Sequence, residues 1–100
     1  MQRYTVAISG EARQMLRDHV YFLARVNPQA ADELRKTIIS EIRSLETMPE
    51  RFPYLEPENK KSAYRKMFVP NRYLVLYTIV DNTVYVEYII DCRQDYDWLR

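Results

Sequence analysis

The architecture of this chain depends most on the stretch RYLVLYTIVDNTVYVEYIID, residues 72–91. It holds two runs rich in Val, Ile, Leu and Tyr that are joined by an Asp-Asn pair. This pattern predicts two antiparallel strands, Arg72–Val80 and Thr83–Asp91, connected by a tight turn. A similar run, Ala63–Val69, precedes them and ends at a Pro-Asn pair. The C-terminal half is therefore predicted to form a three-stranded meander.

The N-terminal half is predicted to hold one strand and two helices. Arg3–Ile8 alternates polar and apolar residues, which is typical of a strand. A helix capped by Ser9 follows and ends at Asn27, and a second helix runs from Pro28 to about Thr47. The proline-rich stretch 48–62 has no periodicity and is predicted to be a loop. The resulting order, β-α-α-β-β-β, predicts a single α+β domain over residues 1–100, with a helical hairpin packed on a curved, mostly antiparallel sheet that includes the first strand.

Each predicted helix carries one apolar face. In the first helix, at 100° per residue, this face comprises Ala12, Met15, Leu16, His19, Leu23 and Val26. The opposite face comprises Arg13, Gln14, Arg17, Tyr21 and Arg25. The buried stripe of the second helix comprises Ala31, Leu34, Ile38, Ile42 and Leu45. We interpret His19 as a neutral core or interface histidine, because a general base would also need a bonded partner and access to substrate.

Composition excludes several classes of function. The 15 Lys and Arg residues against 14 Asp and Glu give a net charge of +1, so bulk charge does not attract the chain to nucleic acid or to an anionic membrane. One Gly excludes the glycine-rich nucleotide loops, and one His and one Cys exclude an HExxH helix, a disulfide and a Cys-based zinc cluster. Without an apolar signal core or a membrane-length stretch, we expect a cytoplasmic protein with no metal or organic cofactor.

Four short segments carry a resemblance to a known family: Tyr4–Ala12, Leu45–Pro53, the hairpin segment 64–77, and Ile89–Tyr96. With the element order, they resemble the RelE/ParE family of bacterial type II toxins. The last segment is similar to the family's strand end, usually Gly-Arg-Arg-Asp-Tyr. The resemblance implies a growth-inhibiting, plasmid-stabilising toxin that is neutralised by a small antitoxin encoded beside it.

Two residues favour the ParE-like branch of this family over the RelE-like branch. RelE-like members cut messenger RNA in the ribosome with basic residues on the concave sheet face, whereas ParE-like members inhibit DNA gyrase. Where RelE-like nucleases commonly read Tyr-Arg-x-x-Tyr, this chain has Leu74, and the paired cations of the last strand become Arg93 and Gln94. A neutral Gln cannot stabilise a phosphorane as guanidinium can. We therefore expect binding without cleavage and weak or no direct binding to nucleic acid.

The resemblance leaves four matched polar positions. Arg65, Lys66, Arg93 and Tyr96 are predicted to contact the target or the antitoxin. In the alternative, a metal-independent messenger RNA endonuclease acting on the ribosome, Arg65, Arg93 and Tyr96 would be catalytic. Arg65 could instead be a solvated strand cation, and Arg93 could pin the C-terminus through a salt bridge. A third alternative is a degenerate member that binds antitoxin but is no longer toxic.

Strand alternation places Arg65 and Lys66 on opposite sheet faces. We expect Arg65 to face the concave surface with Met67 and Val69, and Lys66 to share a core-facing side with Phe68. The segment Lys60–Val80 holds five cations and no acid, which suits an acidic antitoxin segment as well as RNA.

Ile39 projects away from the buried stripe of its helix. It lies on the side of Arg35 and Glu46, and we interpret it either as a peripheral core residue or as part of a surface that an antitoxin helix covers. Cys92, which follows a half-buried strand, is predicted to be inert.

Overall fold

The computed structural model describes residues 2–56, 63–69 and 73–92. In chain order, its α-helices and strands are β1 (Thr5–Ile8), α1 (Gly10–Ala24), α2 (Pro28–Arg43), β2 (Arg65–Val69), β3 (Tyr73–Val80) and β4 (Thr83–Asp91). Two turns of 3₁₀ helix, Ser44–Glu46 and Pro49–Arg51, lie between α2 and β2. The predicted α+β class and element order are confirmed.

The strands form one four-stranded sheet in the order β1-β4-β3-β2. β2 and β3 pair antiparallel, as do β3 and β4, whose register runs from Tyr73 opposite Asp91 to Val80 opposite Thr83. β1 pairs parallel to β4, with Thr5 opposite Thr83. The expectation that the first strand joins the sheet is therefore confirmed, and the sheet is mostly antiparallel.

Side-chain caps define where both helices begin. The Ser9 hydroxyl accepts a hydrogen bond of 2.9 Å from the amide of Ala12, and the Asn27 side chain accepts one of 3.1 Å from the amide of Ala30. The predicted break at Asn27 is confirmed, but α1 already ends at Ala24. Val26 therefore lies in the connecting turn with 80% of its surface exposed, and its predicted place on the buried face is wrong.

A hydrophobic core lies between the helices and one face of the sheet. The helices contribute Ala12, Ile38, Ile42 and Leu45, and the sheet contributes Met67, Val69, Tyr73, Val75, Tyr77, Val84, Val86 and Ile89. A smaller cluster, made of Leu74, Leu76 and Ile90, lies on the opposite face, because successive strand residues point to opposite sides. None of the helices in the described part of the chain is long and apolar enough to cross a membrane.

The predicted facing of β2 is reversed in the structure. Met67 and Val69 are buried against the helices, whereas Phe68 is 63% exposed on the other face. Arg65 therefore does not share an open concave surface with Met67 and Val69. Alternation along a strand shows which residues share a sheet face, but it does not tell which face the helices cover when both faces carry apolar residues.

Candidate functional site

Arg65 is bound to the segment that precedes β2. Its Nη1 atom donates hydrogen bonds to the backbone carbonyls of Phe52 at 2.7 Å and Glu50 at 3.1 Å. Its guanidinium carbon lies 4.2 Å from the centre of the Tyr54 ring, close enough for a cation–π contact. The side chain thus organises its own loop instead of projecting freely towards a ligand.

A second arginine, Arg51, closes the end of α2. Its Nη1 atom donates to the carbonyls of Thr47 at 2.6 Å and Met48 at 3.0 Å, and its Nη2 atom donates to the Ser44 hydroxyl at 2.9 Å. Its Nη1 atom also donates to the carbonyl of Ser44, the C-cap of α2, at 3.4 Å, and a cation at this end of a helix satisfies carbonyls that lack helical partners. Arg51 and Arg65 together hold residues 44–54, which we call the arginine-held loop.

Two tyrosines attach the arginine-held loop to the sheet. Tyr77 donates a hydrogen bond of 2.6 Å to the carbonyl of Pro49 inside the core, and Tyr4 donates one of 2.5 Å to Oε1 of Glu50 at the surface. The bond from Tyr4 lowers the pKa of Glu50 and raises the pKa of Tyr4. Burial raises the pKa of Tyr77 to about 12.

The arginine-held loop and the next residue, Leu55, cover part of the outer edge of β2 and Tyr64 before it. The amide of Lys66 donates to the carbonyl of Pro53 at 2.9 Å, and the amide of Leu55 donates to the carbonyl of Tyr64 at 2.8 Å. The half-buried Lys66 side chain points to the face opposite the helices, because Met67 points towards them. Lys66 therefore lies on the face where the sequence placed Arg65.

The sheet face opposite the helices is apolar at its centre. Leu74 is only 2% exposed and packs in the small cluster with Leu76 and Ile90. The rings of Tyr64 and Tyr88 lie beside this cluster, 6.0 Å apart. At the position where the sequence departs from the nuclease pattern, the structure thus has a buried leucine among apolar side chains. Arg93, Gln94 and Tyr96 lie outside the described residues.

An open groove on α2 surrounds Ile39. Its other lining residues are Arg35, Lys36, Ser40 and Arg43. Ile39 is half-buried and belongs to neither core cluster, so it lines a surface instead of filling the core. We call these five residues the Ile39 patch.

One acidic residue borders the Ile39 patch. Asp32 pairs with Lys36 at 3.0 Å and with Arg35 at 3.3 Å, and these hydrogen bonds lower the pKa of Asp32. No ion pair joins Arg43 to another residue in the described ranges 2–56, 63–69 and 73–92. The patch therefore combines an apolar centre with an excess of positive charge.

The remaining candidate residues have structural environments. The His19 ring contacts the Tyr73 ring at 5.3 Å, and its Nε2 atom lies 2.8 Å from the carbonyl oxygen of Ile89, which confirms its place at the helix–sheet interface. Burial, followed by the charge of Asp91, raises the pKa of the Cys92 thiol, which disfavours the reactive thiolate. No group of three or more potential metal ligands lies within the part of the chain that the structure describes.

Residues 6–96 match the family model described as "ParE toxin of type II toxin-antitoxin system, parDE". This chain belongs to the ParE toxin family. It is a ParE-type toxin of a type II toxin–antitoxin system, as the sequence resemblance implied. No curated protein sequence matches the chain significantly.

Solved structures share the fold of this ParE-type toxin. A chain of the chromosomal ParDE toxin–antitoxin system from P. aeruginosa superposes with a TM-score of 0.76 at 10% identity, covering 89% of this chain and 96% of that one. A chain of the toxin–antitoxin complex RelBE2 from Mycobacterium tuberculosis gives a TM-score of 0.61 at 21% identity, covering 91% of this chain and 93% of that one. At these identities the likeness is one of fold.

Proposed function

We propose that this ParE-type toxin inhibits growth by binding a protein target of the DNA gyrase type, without cleaving RNA, and that a cognate antitoxin neutralises it in the cytoplasm. The observation that carries this proposal is the buried Leu74 at the position where RelE-like nucleases hold an arginine. The gyrase-type target comes from the ParE side of the family resemblance.

The chemistry of RNA cleavage argues against a nuclease on this sheet face. Attack by a 2′-hydroxyl builds negative charge on the phosphate, and each lost charge-stabilising donor typically costs about 10²–10³ in rate. Leu74 supplies no such donor, and the Nη1 atom of Arg65 is already bonded to two loop carbonyls. On this face Lys66, which lies opposite Leu76 in the strand pairing, supplies one ammonium group, a point charge that does not replace the fork of a guanidinium group.

The antitoxin is proposed to cover the Ile39 patch. An apolar residue ringed by Arg35, Lys36 and Arg43 is complementary to an amphipathic segment that carries one apolar anchor and flanking carboxylates. Lys66, Arg93 and Tyr96 are proposed as further contacts with the antitoxin or the target. Arg65 contributes to these contacts through the arginine-held loop.

Induction of the toxin without its antitoxin tests this proposal. We expect growth to stop, plasmid supercoiling to fall and transcripts to stay intact. Transcripts cut at codon boundaries would overturn the proposal in favour of the nuclease. Unimpaired growth with retained antitoxin binding would instead identify a degenerate member.

A further inference from the structure

A stripe of arginines runs along the exposed side of α1, away from the core. Arg13, Arg17, Tyr21 and Arg25 follow one another at intervals of four residues, and all four are exposed. This spacing rotates by only about 40° per step and extends over about 18 Å along the helix. We call these four residues the arginine stripe.

Among the residues that the structure describes, no acid forms an ion pair with the arginine stripe. Arg13 donates to the carbonyl of Ile8 at 3.3 Å, and Arg17 donates to the side chain of Gln14 at 3.1 Å. Within the described ranges, three guanidinium charges therefore remain available to an anionic partner.

At the tip of the helical hairpin, exposed apolar side chains adjoin the Arg25 end of the stripe. Tyr21 is 71% exposed, Phe22 is 65% exposed, and Val26 follows Phe22 by four residues. Exposed apolar side chains that form a contiguous patch are typical of surfaces that bind another molecule. The end of α1 thus offers an apolar contact beside Arg25, and Arg17 and Arg13 follow along the helix away from it.

The mixture of charge and apolar surface favours a protein partner over nucleic acid. A phosphate backbone would gain from the arginines but would leave Phe22 and Val26 without apolar contact. The chain's net charge of +1 adds no long-range attraction to a polyanion. An amphipathic acidic protein segment would satisfy both parts of the surface.

We propose that the arginine stripe docks an acidic amphipathic segment of the growth-inhibition target, with apolar residues of that segment seated on Phe22 and Val26. This rests on the proposed function, namely that the toxin acts by binding. The burial of Leu74 argues against cleavage on the sheet face, and the exposed side of α1 offers the target a further surface for binding. The Ile39 patch, on α2, is assigned to the antitoxin.

Charge-neutralising variants test the stripe. The triple variant Arg13→Gln, Arg17→Gln, Arg25→Gln lowers the net charge by three units, and so does the matched control Gln2→Glu, Gln29→Glu, Thr37→Glu at exposed positions outside both surfaces. We measure growth arrest on induction, inhibition of supercoiling by purified gyrase holoenzyme, and binding of the antitoxin encoded beside the toxin.

The stripe variant is expected to need about 10- to 100-fold more protein for the same inhibition, because it loses three charge contacts with the target together. It should still melt like wild type and bind antitoxin, and the control should inhibit normally. Undiminished growth arrest by the stripe variant would overturn the proposal. Parallel loss of antitoxin binding would assign the stripe to the antitoxin, and stripe-dependent binding of a duplex DNA probe would assign it to nucleic acid.

The growth and gyrase measurements also distinguish a failure of this proposal from a failure of the proposed function. If wild-type toxin arrests growth but leaves gyrase active, the gyrase-type target is wrong, while the growth readout still decides the role of the stripe. If wild-type toxin neither arrests growth nor inhibits gyrase, both proposals fail together.

Discussion

The hydroxyl of Tyr77 donates a hydrogen bond of 2.6 Å to the backbone carbonyl of Pro49 in the core between helices and sheet. Tyr77 is fully buried in the middle of β3, and Pro49 begins the second 3₁₀ turn of the arginine-held loop. The bond joins residues 28 positions apart and attaches the loop to β3, while Arg65 attaches it to β2. The loop that organises the edge of the sheet thus depends on core packing.

Replacing Tyr77 tests this tie. Tyr77→Phe removes only the hydroxyl and leaves the carbonyl of Pro49 buried without that partner, so we expect a loss of about 1–3 kcal/mol in the free energy of unfolding. The control, Tyr85→Phe, removes the hydroxyl of a tyrosine that is 40% exposed and should change stability by less than about 0.5 kcal/mol. Denaturant unfolding measures both, and equal stability of the two variants would contradict a structural role for the Tyr77 hydroxyl.

Stability should also fall at alkaline pH because of Tyr77. Burial raises its pKa to about 12, so the folded state favours the neutral phenol more than the unfolded state does, in which the pKa is near 10. This contribution is fully present below pH 10 and is lost as the pH rises towards 12. Unfolding measured between pH 9 and 12 should show a steeper loss for wild type than for Tyr77→Phe. Parallel curves would contradict the burial of Tyr77 as the cause of the alkaline loss.

Arg65 is expected to support structure through its hydrogen bonds and not through charge alone. Arg65→Ala leaves the carbonyls of Glu50 and Phe52 without their donor and should cost about 1–3 kcal/mol. Arg65→Lys keeps the charge but lacks the planar fork, so it should restore less than half of this loss. Limited proteolysis should cut both variants faster within residues 47–54. Full rescue by lysine would show that charge suffices.

A substitution at Leu74 tests whether the sheet face opposite the helices can accept a charged side chain. Leu74→Arg would place an unpaired guanidinium beside Leu76 and Ile90 and should destabilise the fold by about 3–5 kcal/mol. The conservative control Leu74→Met should cost less than about 1.5 kcal/mol. Thermal melts of the two variants decide between a closed and an open face. A stable arginine variant would mean that this face accepts a cation as it does in the nucleases.

The sequence predicts β3 and β4 almost to the residue, because the turn at Asp81 lies between two uninterrupted β-forming runs. The boundary of α1 is less well predicted, since no residue before Asn27 signals its end at Ala24. The face of β2 could not be chosen because Met67 and Phe68 are both apolar. Local sequence patterns distinguish a strand from a helix, but they do not tell on which face of the sheet the helices pack.

Only part of the candidate site could be predicted from the sequence. The burial of Leu74 follows from its place in a continuous apolar run, and the half-buried position of Ile39 outside the core follows from its offset on α2. The bonds from Tyr77 to Pro49 and from Arg65 to Phe52 join residues that are distant along the chain, and no local pattern records them. Arg51 could have been suggested by its place near the end of a helix, where cations meet free carbonyls.

The proposal on which the others depend is that this ParE-type toxin acts by binding and not by cutting RNA. Primer extension on a defined transcript, translated by ribosomes with purified toxin at the concentration that halves supercoiling by gyrase, decides it. We expect full-length extension products that are indistinguishable from those made without toxin. Toxin-dependent breaks at codon boundaries would show that the toxin is a nuclease.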